Sequence, residues 1–279
     1  MRFITLLLLF FSFSAHADNV ILMIGDGMGK NHIRCVSKEH HLFLKTLNPK
    51  GEIKTYSANN EITDSAASAT TYSCGIKTNN GYLGLSPNQE KCETLAEMSI
   101  KNNFLTFIRT TDKITGATPS AFYAHQKSRH NTIGILSDLK TAKEKMDIKA
   151  VKNIDTETKE LLSKLKNEQQ PFFIMIEESE TDKQSHLNNY QKMKEALIRF
   201  DNAIQTAYNF VQTRNDTTLI VLADHETGGL TSDCEYTKNN HTGENVYYYT
   251  FGSKNDLFNE PILENTSIHH KIKNILFQK

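Results

Sequence analysis

Apolar residues arrive in short unbroken runs, not in alternation. Asn19-Val20-Ile21-Leu22-Met23-Ile24 leads into Gly25-Asp26-Gly27-Met28-Gly29, Phe104 to Ile108 is a second run, Phe172 to Ile176 ends at Glu177, and Thr218 to Leu222 ends at Asp224-His225. Runs of this length without a polar face predict strands covered on both sides. Glu52 to Ser57 and Val246 to Phe251 read as further strands. Helical spacing appears over Ser65 to Tyr72, Thr94 to Lys101, Asn188 to Thr213 and Ser267 to Phe277. The polar stretch from Lys140 to Gln170 reads as surface helices with a solvated face. Strands alternating with helices predict an α/β fold, a mostly parallel central sheet with helices on both faces. Ligands of such sheets bind at the carboxyl ends of strands. Asp26, Glu177 and Asp224-His225 stand there, so their side chains are expected to converge along one edge.

The first residues follow a different pattern. Arg2, the apolar stretch Ile4 to Phe13 and Ala15-His16-Ala17 read as a cleavable signal peptide over residues 1–17. Residues 18–279 then form one α/β domain, with no repeat or linker to divide them and no membrane span after cleavage; an uncleaved anchor is the alternative. Export permits disulfides. Cys35, Cys74, Cys92 and Cys234 allow three full pairings; Cys74 with Cys92 closes the shortest loop, and buried free thiols are the alternative. Lys and Arg number 32 against 32 Asp and Glu, so no broad basic surface for nucleic acid is expected.

Several polar residues carry candidate chemistry, each with an ordinary reading beside it. Asp64-Ser65 before small residues puts a hydroxyl at a helix start, where amides favour an anion; Asp-Ser there is more often only an N-cap. Asp182 and His186, four apart, face the same way on a helix and can share a metal, or form a surface hydrogen bond. Asp26 alone is a turn aspartate and His241 alone a loop histidine.

Taken together, the segments resemble the alkaline phosphatases. The resemblance is carried by Asn19 to Gly29, Thr63 to Thr71, Cys74-Gly75-Ile76-Lys77-Thr78-Asn79, Ala117-Thr118-Pro119-Ser120-Ala121-Phe122-Tyr123-Ala124-His125 and Ser128-Arg129. It continues through Glu177 to His186, Ala223 to Leu230 and His241-Thr242-Gly243-Glu244, in the family's order from Asp18 to about Phe251. It implies hydrolysis of small phosphate monoesters through a phosphoserine at Ser65, with two zinc ions and one magnesium. One zinc would be held by Asp182, His186 and His241, and the other, which would also lower the pKa of Ser65, by Asp26, Asp224 and His225. Asp26, Thr118 and Glu177 would hold magnesium; Arg129 would grip the phosphoryl oxygens, and Asp64 would help position Arg129. Lys183 would reach the phosphate through water, or be an exposed lysine.

The departures carry expectations of their own. Gly116 stands where the family usually has Asp or His, so magnesium is expected to bind weakly or be replaceable. Val246-Tyr247 replaces the family's usual Val-Pro step. The chain is short between Arg129 and Glu177 and after His241, which implies a minimal core with an open site. Family members are usually homodimers, although much of that interface can lie in segments this chain lacks. A related phosphodiesterase is the alternative enzyme, and Arg129 weighs against it because a diester has one fewer free oxygen to grip. A non-catalytic zinc- or phosphate-binding protein would be expected to have lost the nucleophile or a ligand, and none is missing.

Overall fold

The computed structural model describes residues 18–278; the expected signal peptide over residues 1–17 lies outside them. In chain order the strands are β1 (Asn19–Gly25), β2 (Gly51–Lys54), β3 (Leu105–Thr110), β4 (Asp147–Ala150), β5 (Phe172–Glu178), β6 (Thr217–Ala223), β7 (Glu226–Thr227), β8 (His241–Thr242), β9 (Val246–Gly252) and β10 (Ile262–Glu264). The helices are α1 (Lys30–Glu39), α2 (Phe43–Thr46), α3 (Ser65–Cys74), α4 (Leu95–Lys101), α5 (Ala117–Ser120), α6 (Thr132–Ala142), α7 (Ile154–Lys164), α8 (Glu180–His186), α9 (Tyr190–Gln212) and α10 (Asn265–Phe277). Eight strands make one sheet in the order β10-β2-β9-β6-β1-β5-β3-β4, and β7 pairs with β8 apart from it. Within the sheet only β9 runs against its neighbours, β2 and β6.

The apolar runs become the centre of this sheet. Val20 to Ile24 and Phe172 to Ile176 have no solvent exposure. Helices cover both faces, as the unbroken runs require. One group, α1, α2, α7, α8 and α9, packs together and reaches β1, β5, β6 and β9 through α9; the other, α3, α4, α5 and α10, packs together and reaches β1, β3 and β5. Among the described residues no helix is long and apolar enough to cross a membrane.

The three strands with acidic ends are adjacent, in the order β6-β1-β5, and their ends are level: Gly25 stands beside both Ala223 and Glu178. Asn19 aligns their beginnings. Its amide donates to Thr217 Oγ1 at 3.2 Å, and its carbonyl oxygen accepts from the Phe172 amide at 2.8 Å. Register fixed at the start of three strands fixes their side chains at the end.

Not every expected element forms as expected. The strand over Glu52 to Ser57 is shorter and earlier, Gly51–Lys54. The polar stretch from Lys140 to Gln170 holds not only helix but the edge strand β4, in which Ile148 alone is buried. One buried residue in four offers no periodicity to read. All four cysteines are paired, Cys74 with Cys92 and Cys35 with Cys234.

One glycine closes the sheet's antiparallel side. Gly252 ends β9 at φ +95°, and a Cβ there would stand 2.1 Å from the Thr217 carbonyl oxygen, backbone that cannot swing aside. Gly252→Ala is expected to cost about 2 kcal/mol or more, read as a lower urea midpoint at unchanged slope.

Candidate functional site

The site grows from the level ends of β6, β1 and β5. Past β1 the chain turns through Asp26 and Gly27; Asp26 N donates to Glu178 O at 3.0 Å, and Gly27 N donates to Asp224 Oδ1 at 3.0 Å. Gly27 takes φ +69°, and a Cβ there would meet Asp182 Cα at 2.8 Å, so only glycine lets this turn lie against α8. Helix α8 carries Asp182 and His186 one turn apart on the same side. The β7–β8 hairpin pairs Thr227 with His241 and returns His241 to the same place. Glu226 holds its loop, accepting from Thr242 Oγ1 and from the amides of Gly229 and Leu230.

Helix α3 delivers Ser65. All ten of its residues are buried, and most are small enough for the helix to lie close to the sheet. Tyr72 Oη donates to Ala223 O and Ser68 Oγ to Asp224 O, both at 2.8 Å, which docks α3 on the end of β6. Its first residue is Ser65, whose Oγ lies 3.3 Å from His225 Nε2. Asp64 caps the helix, accepting from Ala67 N at 2.9 Å. Its other oxygen accepts from Gly81 N at 3.0 Å and from an Arg129 guanidinium nitrogen at 3.2 Å.

Two groups of donors converge beside Ser65. Asp182 Oδ1, His186 Nε2 and His241 Nε2 lie 3.1 to 3.5 Å apart. His225 Nε2 stands 3.5 Å from Asp26 Oδ1 and 3.2 Å from Asp224 Oδ2. The far side of each imidazole is engaged. Nδ1 of His186 faces the Asn239 carbonyl at 2.6 Å, and Nδ1 of His241 the Thr63 carbonyl at 2.9 Å. Nδ1 of His225 faces Thr227 Oγ1 at 3.2 Å, and that hydroxyl gives its own hydrogen to Asp182. Carbonyls only accept, so Nδ1 of each ring carries a proton and Nε2 is the nitrogen turned inward. This is how a protein orients imidazoles for a metal.

The charge balance points the same way. Burial, then the charges of Asp224, Asp182 and Glu177, push Asp26 well above the usual carboxylate range. Burial lifts Glu177 to about 8 and Asp224 to about 7. Burial works to raise Asp182 too, but the His186 bond and the other imidazoles draw it down. His225, buried completely, falls well below the ordinary histidine value. His186 rises to about 9 on its bond to Asp182. Asp26 Oδ1, Asp224 Oδ2 and Thr118 Oγ1 are buried without a hydrogen-bond partner. Four enclosed carboxylates, two of them with an orphaned oxygen, the orphaned Thr118 hydroxyl and three inward-turned imidazole nitrogens fit cations, and a proton on His186 occupies only one of the places a cation would take.

The remaining residues fall around this centre. Glu177, at the end of β5, accepts from Thr110 Oγ1, and Thr118 lies beside it on α5. Arg129 is part-exposed on its loop, held by Asp64. Lys183 Nζ is taken up by Asp112 at 2.7 Å, Ser179 Oγ at 3.0 Å and Glu180 at 3.3 Å. The sequence reading passed over Asp112, Thr110, Thr227 and Asn239. Thr110 ends a strand, β3, and Asp112 follows it, at the same end as Asp26 follows β1, so the strand-end rule reaches them. Nothing in the sequence marks Asn239, which acts through its backbone carbonyl.

Comparison with known proteins bears on the whole arrangement. The alkaline phosphatase family model matches residues 17–158 and 133–237. Alkaline phosphatase 4 of Bacillus subtilis is 27% identical over 300 residues, covering 81% of this chain and 65% of that protein. The alkaline phosphatase of Escherichia coli is 37% identical over 125 residues, 40% of this chain and 26% of that protein. The chain thus spans less than two thirds of the length of these relatives. Among solved structures, the alkaline phosphatase of the Antarctic bacterium TAB5 is 26% identical with a TM-score of 0.82, covering 94% of this chain and 98% of that one. A variant of that enzyme was solved with Mg bound in the M3 site. The cold-active alkaline phosphatase of a Shewanella species shares the fold, with a TM-score of 0.85 at 20% identity over 92% of this chain and 99% of that one.

Proposed function

The chain belongs to the alkaline phosphatase family, and from that premise we propose that it is an exported phosphatase that hydrolyses phosphate monoesters through a covalent intermediate on Ser65. The observation that carries the reading is the position of Ser65 Oγ, 3.3 Å from His225 Nε2, at a helix start beside two convergent donor sets and within the reach of one arginine. Asp182, His186 and His241 would hold one zinc, Asp26, Asp224 and His225 a second, and Asp26, Thr118 and Glu177 a magnesium. Bound there, zinc supplies Lewis acidity, which lowers the pKa of a serine hydroxyl or water and stabilises the entering and leaving oxygens of an in-line displacement.

The chain's own residues do the rest. Ser65 Oγ attacks phosphorus as its proton passes to solvent; the bond to the leaving oxygen breaks, and that oxygen takes the electron pair and a proton from solvent to depart as the alcohol. Water then attacks the phosphoserine and gives a proton to solvent, the phosphorus–Oγ bond breaks, and Oγ takes that electron pair and a proton, restoring Ser65 with release of inorganic phosphate. Arg129 presents a planar fork to two non-bridging oxygens in both steps, and Asp64 keeps that fork aimed by pairing with it from the side. The amides at the start of α3 add favourable dipoles toward the same oxygens.

The direct test is release of p-nitrophenol from p-nitrophenyl phosphate and from its bis ester at alkaline pH, with and without chelator. Monoester turnover lost on chelation supports the reading; preference for the diester moves the chain to a phosphodiesterase. Arg129→Ala is expected to lower kcat/KM on the monoester by about 10²-fold, the loss of two charge-assisted bonds. The diester should suffer less, and Arg129→Lys should recover only part. Equal losses on both esters would remove the fork from the mechanism.

Export is supported by the N-terminal pattern and by two disulfides. N-terminal sequencing of the exported protein, with Asp18 as the expected first residue, tests it. A homodimer stays an expectation drawn from the family, for light scattering to decide.

A further inference from the structure

The space that a side chain at Gly116 would enter is already filled. A Cβ built there would stand 2.0 Å from Asp112 Oδ2 and 2.9 Å from the Lys113 carbonyl oxygen. A tight turn, closed by Gly116 N donating to Lys113 O at 2.7 Å, folds the Asp112 carboxylate back over the glycine. Thr110 anchors the turn to the site: its hydroxyl donates to Glu177 and accepts from Asp112 N at 2.8 Å. Lys183 Nζ binds the same carboxylate at 2.7 Å. Beside Glu177, Thr118 Oγ1 is buried and meets no hydrogen-bond partner.

We propose that Asp112 is a positioning residue of the oxygen-donor cation site: it occupies the place that Gly116 leaves open and, with Lys183 held on its outer side, sets the charge that faces the cation. The proposal rests on the reading that Asp26, Thr118 and Glu177 hold magnesium. Gly116 is then the condition for Asp112, not a defect of the site, because any side chain at 116 displaces the carboxylate. The expectation of weak magnesium binding, drawn from the glycine alone, changes accordingly: a carboxylate is present, supplied from four positions earlier.

The test measures cation binding, not turnover. Zinc-loaded protein is titrated with Mg2+ by calorimetry, and zinc and magnesium are counted in the same samples by elemental analysis. Asp112→Asn keeps the shape and an oxygen for Lys183 but removes the charge. It is expected to weaken Mg2+ by about tenfold or more, the usual consequence of losing a group that supports ligands from outside, with zinc content unchanged. Asp112→Glu should recover part of the affinity. Mg2+ affinity of Asp112→Asn equal to that of the unaltered protein overturns the proposal while leaving the magnesium site standing. Failure of the unaltered protein to take up a third cation at saturating Mg2+ overturns the site and the proposal together.

Discussion

Ser65→Ala is expected to lower kcat on p-nitrophenyl phosphate by more than ~10³-fold while leaving metal content and melting temperature close to those of the unaltered protein. The separation follows from how Ser65 is held. Its helix is capped by Asp64 and docked by Tyr72 and Ser68, none of which uses the Ser65 hydroxyl. The only hydrogen-bond partner of Oγ among the described residues is His225. Removing one oxygen therefore deletes the nucleophile and leaves the donor sets intact. Quenching during turnover of 32P-labelled substrate should trap acid-stable label on the unaltered chain and none on the variant. Retained turnover above the stated limit would mean that water attacks the ester directly, and Ser65 would lose its role.

Removal of the metals is expected to make stability fall steeply with alkalinity, an effect the loaded protein should not show. The carboxyls of Glu177 and Asp224 are lifted by burial to about 8 and about 7, and Asp26 is raised as well. A group whose folded pKa lies above its unfolded one contributes stability at low pH and loses it as pH rises through the folded value. His186, raised to about 9 by Asp182, has the same sign. His225 and His241 are lowered, by burial first, and oppose the trend only below the ordinary histidine pKa. Between about pH 6.5 and pH 9 every contribution from the centre therefore points downward, by about 1.4 kcal/mol per pH unit for each proton still held. Bound cations take the place of those protons and flatten the curve. Melting temperatures of chelated and loaded protein across this range test the claim. Parallel curves would mean that the buried charge is neutralised some other way.

Much of this was legible because burial writes itself plainly in a chain. Strands covered on both faces need unbroken apolar runs, and the rule that ligands sit at strand ends singled out Asp26, Glu177 and Asp224-His225 before any coordinates. Their adjacency as β6-β1-β5 was not legible, since strand order depends on crossovers that leave no periodic trace. Edge elements such as β4, with one buried residue, carry too little apolar pattern to read. The role of Asp112 carries no signal of its own, because its meaning lies in a glycine four residues later. The carbonyls of Asn239 and Thr63, which orient His186 and His241, are beyond any reading of side chains.

The level strand ends also impose an order in time. Asp26, Thr118 and Glu177 are all present once β5 has been synthesised, and β1 and β5 are direct neighbours. His186 follows directly on α8, but the other two imidazoles come later, His225 only after β6 and His241 later still. No nascent segment that stops short of His225 owns either nitrogen-bearing set. A growing chain can bring its oxygen cluster together early but has neither nitrogen-bearing donor set complete until β6 and the β7–β8 hairpin have been made. Distance along the sequence thus acts as a delay, withholding those sets until the scaffold that must enclose them exists.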